Sequence, residues 1–290
     1  PLRVTGGALH PVDLELRVAS AQVKSALLLA GLTGGVSVCL TEPGRSRDHT
    51  ERLLAALGAT LARAERPDGS VRVELTGVPE RVPALDLRIP GDPSSATFLV
   101  LAALLGVTPG VEIVDVGLNP TRTGGFELLA RMGASLRIEV EREEGGEPTG
   151  RIAAAEGSLR AIEVERADVV RAIDELPAIA VAAVRAEGTT RIRGATELRH
   201  KETDRISAVV ENLRAVGVTC EEHPDGLDVV GTDAPLSGRI DAMHDHRIAM
   251  VFGVLGAAPG NDIEVEGREC VDVSYPDFWE TLDALGGGGR

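Results

Sequence analysis

The stretch Lys201-Glu202-Thr203-Asp204-Arg205 sets carboxylates beside cations, the combination that proton transfer on an anionic substrate requires. At helical spacing Lys201 and Arg205 share a face, and Glu202 lies beside Arg205. A surface ladder of ion pairs would give the same letters. Asp174-Glu175 adds carboxylates half a repeat earlier, and two carboxylates in different environments can divide the roles of acid and base. Other unusual residues stand just ahead of apolar stretches: Ser20-Ala21-Gln22, Ser94-Ser95, Asp245-His246-Arg247, Arg47-Asp48-His49 and Thr121-Arg122-Thr123. If these stretches are helices, their N-termini offer unpaired N–H groups and a positive dipole end, suited to phosphates and carboxylates. Each motif also has a plainer reading. Ser20, Ser94, Ser95 and Asp174 could be ordinary N-caps, and Arg47 and Arg247 could answer a local carboxylate. Lys24 reads as a solvated helix residue, and His49 and His246 as structural histidines. The spacing alone does not name a reaction.

The elements that must position these groups repeat along the chain. Val12–Val18 alternates apolar and polar residues as a half-buried strand does. A helix over Ser25–Leu32, a strand Val36–Leu40 and an amphipathic helix from Arg47 follow, the last stopping at Leu57-Gly58-Ala59. Two strands joined by Pro67-Asp68-Gly69 complete a βαβαββ unit. The same order recurs: strand 86–89, helix 97–105 and strand 111–116; then strand 162–164, helix 178–186 and strand 190–193; then helix 248–255 and strand 263–265. The second helices end at Gly133, Gly217 and Gly286, and such glycines recur every ~70–85 residues, a period of duplicated globular units rather than of a solenoid. Glu143–Gly150 reads as a hairpin turn, and the fourth unit stops at Gly286–Arg290 without its hairpin.

Composition narrows the function classes. With 43% apolar and 26% charged residues over 290 positions, the chain is globular and long enough for one large or two ordinary domains. A net charge of −15 argues against nucleic acid, which needs clustered Lys and Arg, but a few converging arginines still admit small anions. Cys39, Cys220 and Cys270 fit neither a disulfide framework nor a zinc pattern, which points to a reducing compartment, the cytoplasm. The longest apolar stretch, Phe98–Leu105, is too short to span a membrane.

Four motifs, Leu198-Arg-His-Lys-Glu-Thr-Asp-Arg205, Asp245-His-Arg-Ile-Ala-Met250, Gly91-Asp-Pro-Ser-Ser95 and Asn119-Pro-Thr-Arg-Thr-Gly124, resemble those of the 5-enolpyruvylshikimate-3-phosphate synthases. The resemblance runs from about residue 1 to 285, and Ala19–Ser25 with Ser46–Thr50 is similar to the class II branch. It implies an α/β (α+β) fold of βαβαββ units in two globular domains, an inside-out α/β barrel with the site in the cleft between them. Residues 1–136 would be the C-terminal part of the upper domain, and 137–290 most of the lower domain without its opening strand. The implied reaction moves the enolpyruvyl group of phosphoenolpyruvate to the 5-hydroxyl of shikimate 3-phosphate and releases phosphate. Ser20, Ala21, Gln22, Ser95 and Lys201 would bind shikimate 3-phosphate, with Arg47 near its phosphate. Gln22, Arg205 and Arg247 would hold phosphoenolpyruvate, with Asp174 the general base and Glu202 the general acid. Neither metal nor organic cofactor is implied.

Relative to the family pattern, Ala21 replaces a serine, Phe98 a tyrosine and Val273 a lysine. Roughly the first third of the family chain has no counterpart. An N-terminal segment or chain completing the fold is therefore expected. The 290 residues alone are expected to lack useful turnover, because groups from both cleft walls must act together. The other readings are a non-catalytic fragment, or the sister enolpyruvyl transferase acting on UDP-N-acetylglucosamine, whose pattern lacks this Lys-Glu-Thr-Asp-Arg stretch.

Overall fold

The computed structural model describes residues 3 and 5–287. By its internal contacts the chain divides into two units. One runs to Ile89 and takes in Arg142–Pro148; the other comprises Pro90–Glu141 and the chain from Thr149 onward. The division falls at Ile89/Pro90, not at the expected 136/137. Residues 96–132 share one hydrophobic cluster with the rest of the second unit.

The first unit holds a single βαβαββ repeat: β1 (Val12–Glu15), α1 (Ala21–Gly34), β2 (Val38–Glu42), α2 (His49–Ala56), β3 (Thr60–Glu65) and β4 (Val71–Gly77). Its sheet runs β1-β2-β4-β3, with β1 parallel to β2 and the other pairs antiparallel. Val71, Val73 and Leu75 alternate inward from β4 onto Leu28 and Leu54, while Arg72 and Glu74 point the other way.

The second unit holds three further repeats, apart from the hairpin tip Arg142–Pro148 of the first of them. The first has α3 (Pro93–Leu104), β5 (Gly110–Gly117), α4 (Gly124–Arg131), β6 (Ser135–Glu144) and β7 (Glu147–Ala155). After β8 (Leu159–Arg160) the next has β9 (Glu163–Val164), α5 (Arg166–Ala172), α6 (Leu176–Ala183), β10 (Ala186–Glu187), β11 (Thr189–Ile192), α7 (Arg205–Ala215), β12 (Cys220–His223) and β13 (Gly226–Val230). The last has β14 (Ser237–Asp241), α8 (His246–Ala257), β15 (Asp262–Glu266) and α9 (Phe278–Leu285). The sheet β9-β11-β13-β12 reproduces the order and strand directions of β1-β2-β4-β3, and β14 with β15 repeats its parallel opening pair. The helices α3, α6 and α8 each pack against the other two, so one helix from each of the three repeats is buried in a common core.

Local signals explain most element ends. Gly58, Gly133 and Gly217 take φ of 87°, 92° and 91°. The amide after each returns to a carbonyl five residues back: Ala59 to Leu54, Ala134 to Leu129, Val218 to Leu213. This is a Schellman stop written three times. In the fourth repeat the left-handed residue is Gly287, one later than expected. The expected long turn at Glu143–Gly150 closes more tightly, on Gly145-Gly146 with φ of 60° and 79°.

Two expectations need correction. No strand forms at 86–89; Ile89 is exposed, and Pro90 has no N–H to give a ladder. The opening-strand place falls to a single bridge, Gly91 to Val116, with Gly91 N–H donating to Asp115 O at 2.7 Å. Strand β14, which opens the last repeat, was not anticipated; Pro235 and Gly238 obscure its pattern. Among the described residues, no helix is long and apolar enough to cross a membrane.

Candidate active site

In the second unit, the approaches to the N-termini of α6, α7 and α8 bring charged groups together. Arg205 is the first residue of α7, which starts there because Asp204 caps it, accepting from Ile206 and Ser207 N–H at 3.1 Å each. The Arg205 side chain is only 1% exposed, which demands partners for its charge. Its Nε donates to Asp245 Oδ2 at 2.7 Å, Nη2 to Glu202 Oε2 at 2.6 Å and Nη1 to Asp174 Oδ1 at 3.4 Å. Asp245, fully buried, also caps α8 by accepting from Arg247 N–H at 2.9 Å. Lys201 Nζ lies 3.8 Å from Asp174 Oδ1, and Arg247 Nη1 donates to the Asp174 carbonyl at 3.2 Å.

Thus Asp174, Lys201, Glu202, Arg205 and Arg247 form one cluster around a buried guanidinium. The Asp174 and Glu202 side chains contact it through different nitrogens and differ in exposure, 13% against 51%. Arg247 donates to the neutral Asp174 carbonyl, and its charge also acts on the buried Glu175 carboxyl. The helical face expected for Lys201 and Arg205 does not form, because Asp204 delays the helix to Arg205; both cations nonetheless reach Asp174 Oδ1. Asp174 is no cap, since α6 begins two residues later. His246, first in α8, has its pKa drawn below the ordinary imidazole value by burial and by the adjacent Arg247.

The serines of α3 part company. Asp92 is the actual cap, accepting from Ser95 N–H at 2.9 Å. Ser95 stays half-buried at the first turn, whereas Ser94 is buried and donates to Glu175.

In the first unit, Ser20 caps α1 by accepting from Val23 N–H at 3.4 Å. Ala21, Gln22 and Arg47 line an open recess of about 440 Å³ together with Ser25, Leu29 and His49. The loop carrying Arg47 is held from beneath: Ser46 donates to Glu42 through its hydroxyl (2.6 Å) and its amide (3.3 Å). Lys24 is not solvated. It is 1% exposed, with Nζ 3.0 Å from Glu42 and 2.7 Å from Glu51, because β2 and α2 turn carboxylates toward its face of α1.

For metals, Glu221, His223 and Asp228 bring potential ligand atoms within 4.8 Å of one another on the β12–β13 hairpin. Asp228 is already engaged by Arg193 at 2.6 Å and flanked by Arg191 at 3.8 Å, which marks an ion-pair group rather than a metal centre.

Comparison with known proteins decides the family. The EPSP synthase (3-phosphoshikimate 1-carboxyvinyltransferase) profile matches residues 1–282. The chain belongs to the EPSP synthase family. It is 46% identical over 283 residues to the 3-phosphoshikimate 1-carboxyvinyltransferase of Roseiflexus castenholzii, covering 97% of this chain and 65% of that protein. It is 42% identical over 286 residues to the Bacillus subtilis enzyme of that name, covering 98% and 65%. The structure of EPSP synthase from Acinetobacter baumannii superposes with a TM-score of 0.84 at 38% identity, over 96% of this chain and 63% of that one. The enolpyruvyl transferase NikO from Streptomyces tendae shares the fold, with a TM-score of 0.66 at 23% identity, over 89% and 57% of the two chains. The chain therefore spans about two thirds of the length of these family members.

Within this EPSP synthase family chain, the departures from pattern have different weights. Phe98 is a core residue, edge-on to Phe278 at 6.1 Å, and offers no polar contact. Val273 is largely exposed after the last repeat's strand pair. Two residues were undervalued from sequence. Lys24 was a detectable oddity as one of two lysines in an arginine-rich chain, but its carboxylate partners are distant in sequence. Glu175 was hidden by standing next to Asp174.

Proposed function

We propose that the chain carries part of an enolpyruvyl transfer site, which moves the enolpyruvyl group of phosphoenolpyruvate onto the 5-hydroxyl of shikimate 3-phosphate and releases phosphate. The observation that carries the reading is the pair Asp174 and Glu202 bonded to different nitrogens of buried Arg205, with Lys201 alongside. Cations bind the anionic groups of both substrates, and the two carboxylates move protons. Asp174, the more enclosed, accepts the proton of the 5-hydroxyl as that oxygen bonds to C2 of phosphoenolpyruvate. Glu202, the more exposed, delivers a proton to the C3 methylene. The resulting tetrahedral ketal carries a methyl group and phosphate on one carbon. Loss of phosphate with return of one methyl proton to Glu202 restores the double bond. Arg205 and Arg247 hold phosphoenolpyruvate; Lys201 and Ser95 hold shikimate 3-phosphate. Ser20, Ala21, Gln22 and Arg47 act on the same ligands, with Gln22 serving both. Family membership and the ordered motifs support these roles.

The test is phosphate release from the two substrates, measured on the chain completed to the length of its relatives. Asp174→Ala and Glu202→Gln are each expected to lower kcat by about 10²–10⁴-fold with much smaller changes in substrate affinity. No phosphate release from the completed parent would overturn the reading. Loss through affinity alone would reassign both carboxylates to binding.

A further inference from the structure

Glu175 occupies the N-cap position of α6 yet gives that helix no side-chain hydrogen bond. A carboxylate at this position normally turns to the free amides of the first turn. Instead the side chain is buried, and its Oε1 accepts from the Ser94 hydroxyl at the start of α3. Ser94 Oγ in turn accepts from Arg122 Nη2 at 3.0 Å, and the same nitrogen donates to Asp92 Oδ1, the cap of α3, at 2.8 Å. The single serine proton fixes the direction of this relay: guanidinium to hydroxyl, hydroxyl to carboxyl. Space for it is built in, because a Cβ at Gly125 would come within 2.7 Å of the Glu175 Cβ. Burial pushes the Glu175 carboxyl above its ordinary range, against the pull of Ser94 and then of Arg247. A costly buried acid that does nothing for its own helix needs another role.

The geometry points to Glu175 as a positioning residue that locks the turn carrying Asp174, by tying the start of α6 to the starts of α3 and α4. The adjoining backbone supports it: Asp174 is the preceding residue, and its carbonyl is held on the far side by Arg247 at 3.2 Å from the last repeat. The two neighbouring repeats therefore both hold this short turn, one of them through Glu175. The consequence for catalysis rests on Asp174 acting as the base proposed above; the consequence for the turn does not.

Two readouts separate these consequences. Hydrogen exchange of the segment 172–177, measured on the chain as it stands, reports the turn. Glu175→Ala, and Ser94→Ala as a milder cut of the same link, are expected to speed its exchange by ~10-fold or more while peptides of β11 and β13 stay at parent rates. Glu175→Gln keeps the acceptor for Ser94 and is expected to stay within about twofold of the parent. In the chain completed to family length, Glu175→Ala is expected to lower kcat by about 10²-fold with KM within ~3-fold, and to add nothing to Asp174→Ala. Parent-like exchange in both Glu175→Ala and Ser94→Ala overturns the proposal, whatever the activity shows. Faster exchange together with a fully active Asp174→Ala keeps the positioning role and rejects Asp174 as the base.

Discussion

Lys24, Ala96, Ile179 and Ala249 each stand four residues past the N-cap of the corresponding helix (α1, α3, α6 and α8) of their repeat, and all four are buried. Only the copy in the first unit is charged. In the second unit this position lies in helices that pack on sibling helices: all eight residues of α6 are buried, and the same apolar enclosure covers most of α3 and α8. In the first unit α1 is just as rich in leucine and alanine, yet only Lys24, Leu28 and Gly31 are buried, and Leu29 is 46% exposed. A helix's burial is thus set by its neighbours more than by its own letters, as expected of repeats that cover one another. Where siblings are present the fourth position is apolar. In α1 the position is a lysine held by the carboxylates of β2 and α2.

The largest expected effect tests that lysine. Lys24→Met leaves Glu42 and the nearly buried Glu51 without their cation, and breaking a buried pair in this way costs about 3–5 kcal/mol. Hydrogen exchange of β2 and β4 should report the loss, while α6 and α8 keep parent protection. The loop of Arg47 should loosen with it, because Glu42 also anchors Ser46. Adding Glu51→Gln is expected to recover part of the loss. Equal loosening of both units would break the contrast between them.

Next in size is a matched pair of truncations. Ile179→Ala opens a cavity in the packed helices and is expected to cost about 2–5 kcal/mol. Leu29→Ala removes the same three carbons from the corresponding helix of the first unit, but from an exposed face, and is expected to cost no more than about 0.5 kcal/mol. Denaturant unfolding followed by unit-resolved hydrogen exchange checks both. Similar costs would mean that α1 is covered in solution.

These contrasts also show what was legible in the sequence. The βαβαββ order, the hairpins and the stops at Gly58, Gly133 and Gly217 were readable because they follow from local chemistry. The association of Asp174 with Lys201, Glu202, Arg205 and Arg247 followed from motif resemblance, and the structure gathers all five. Long-range compensation was not readable. Lys24 looked solvated because its partners lie 18 and 27 residues away on other elements. Strand 86–89 looked regular because alternation carries no sign of whether a partner strand is in reach. Ser94 and Ser95 looked equivalent until one packed against Glu175, 81 residues on.

The smallest expected effect concerns Glu175, the acid counterpart in the second unit of buried Lys24 in the first. Burial raises its pKa in the folded state above the unfolded value, so the folded protein holds this proton to higher pH than the unfolded chain does. Its contribution to stability is therefore complete below the unfolded carboxyl value and is lost as pH rises through the folded one. Glu175→Gln mimics the protonated acid and has no such slope. The Tm of the variant should match the parent near pH ~4 and exceed it increasingly toward pH ~8, with the gap levelling once the parent carboxyl has ionised. His246 adds the opposite slope to parent and variant alike. Its folded pKa is lowered, chiefly by burial, so stability falls as pH drops through the ordinary imidazole range, and this cancels in the difference. A gap that is constant with pH would mean that Glu175 keeps one charge state throughout. A gap that shrinks with rising pH would mean that the arginine and serine donors outweigh burial, which would make the second unit as charge-dependent as the first.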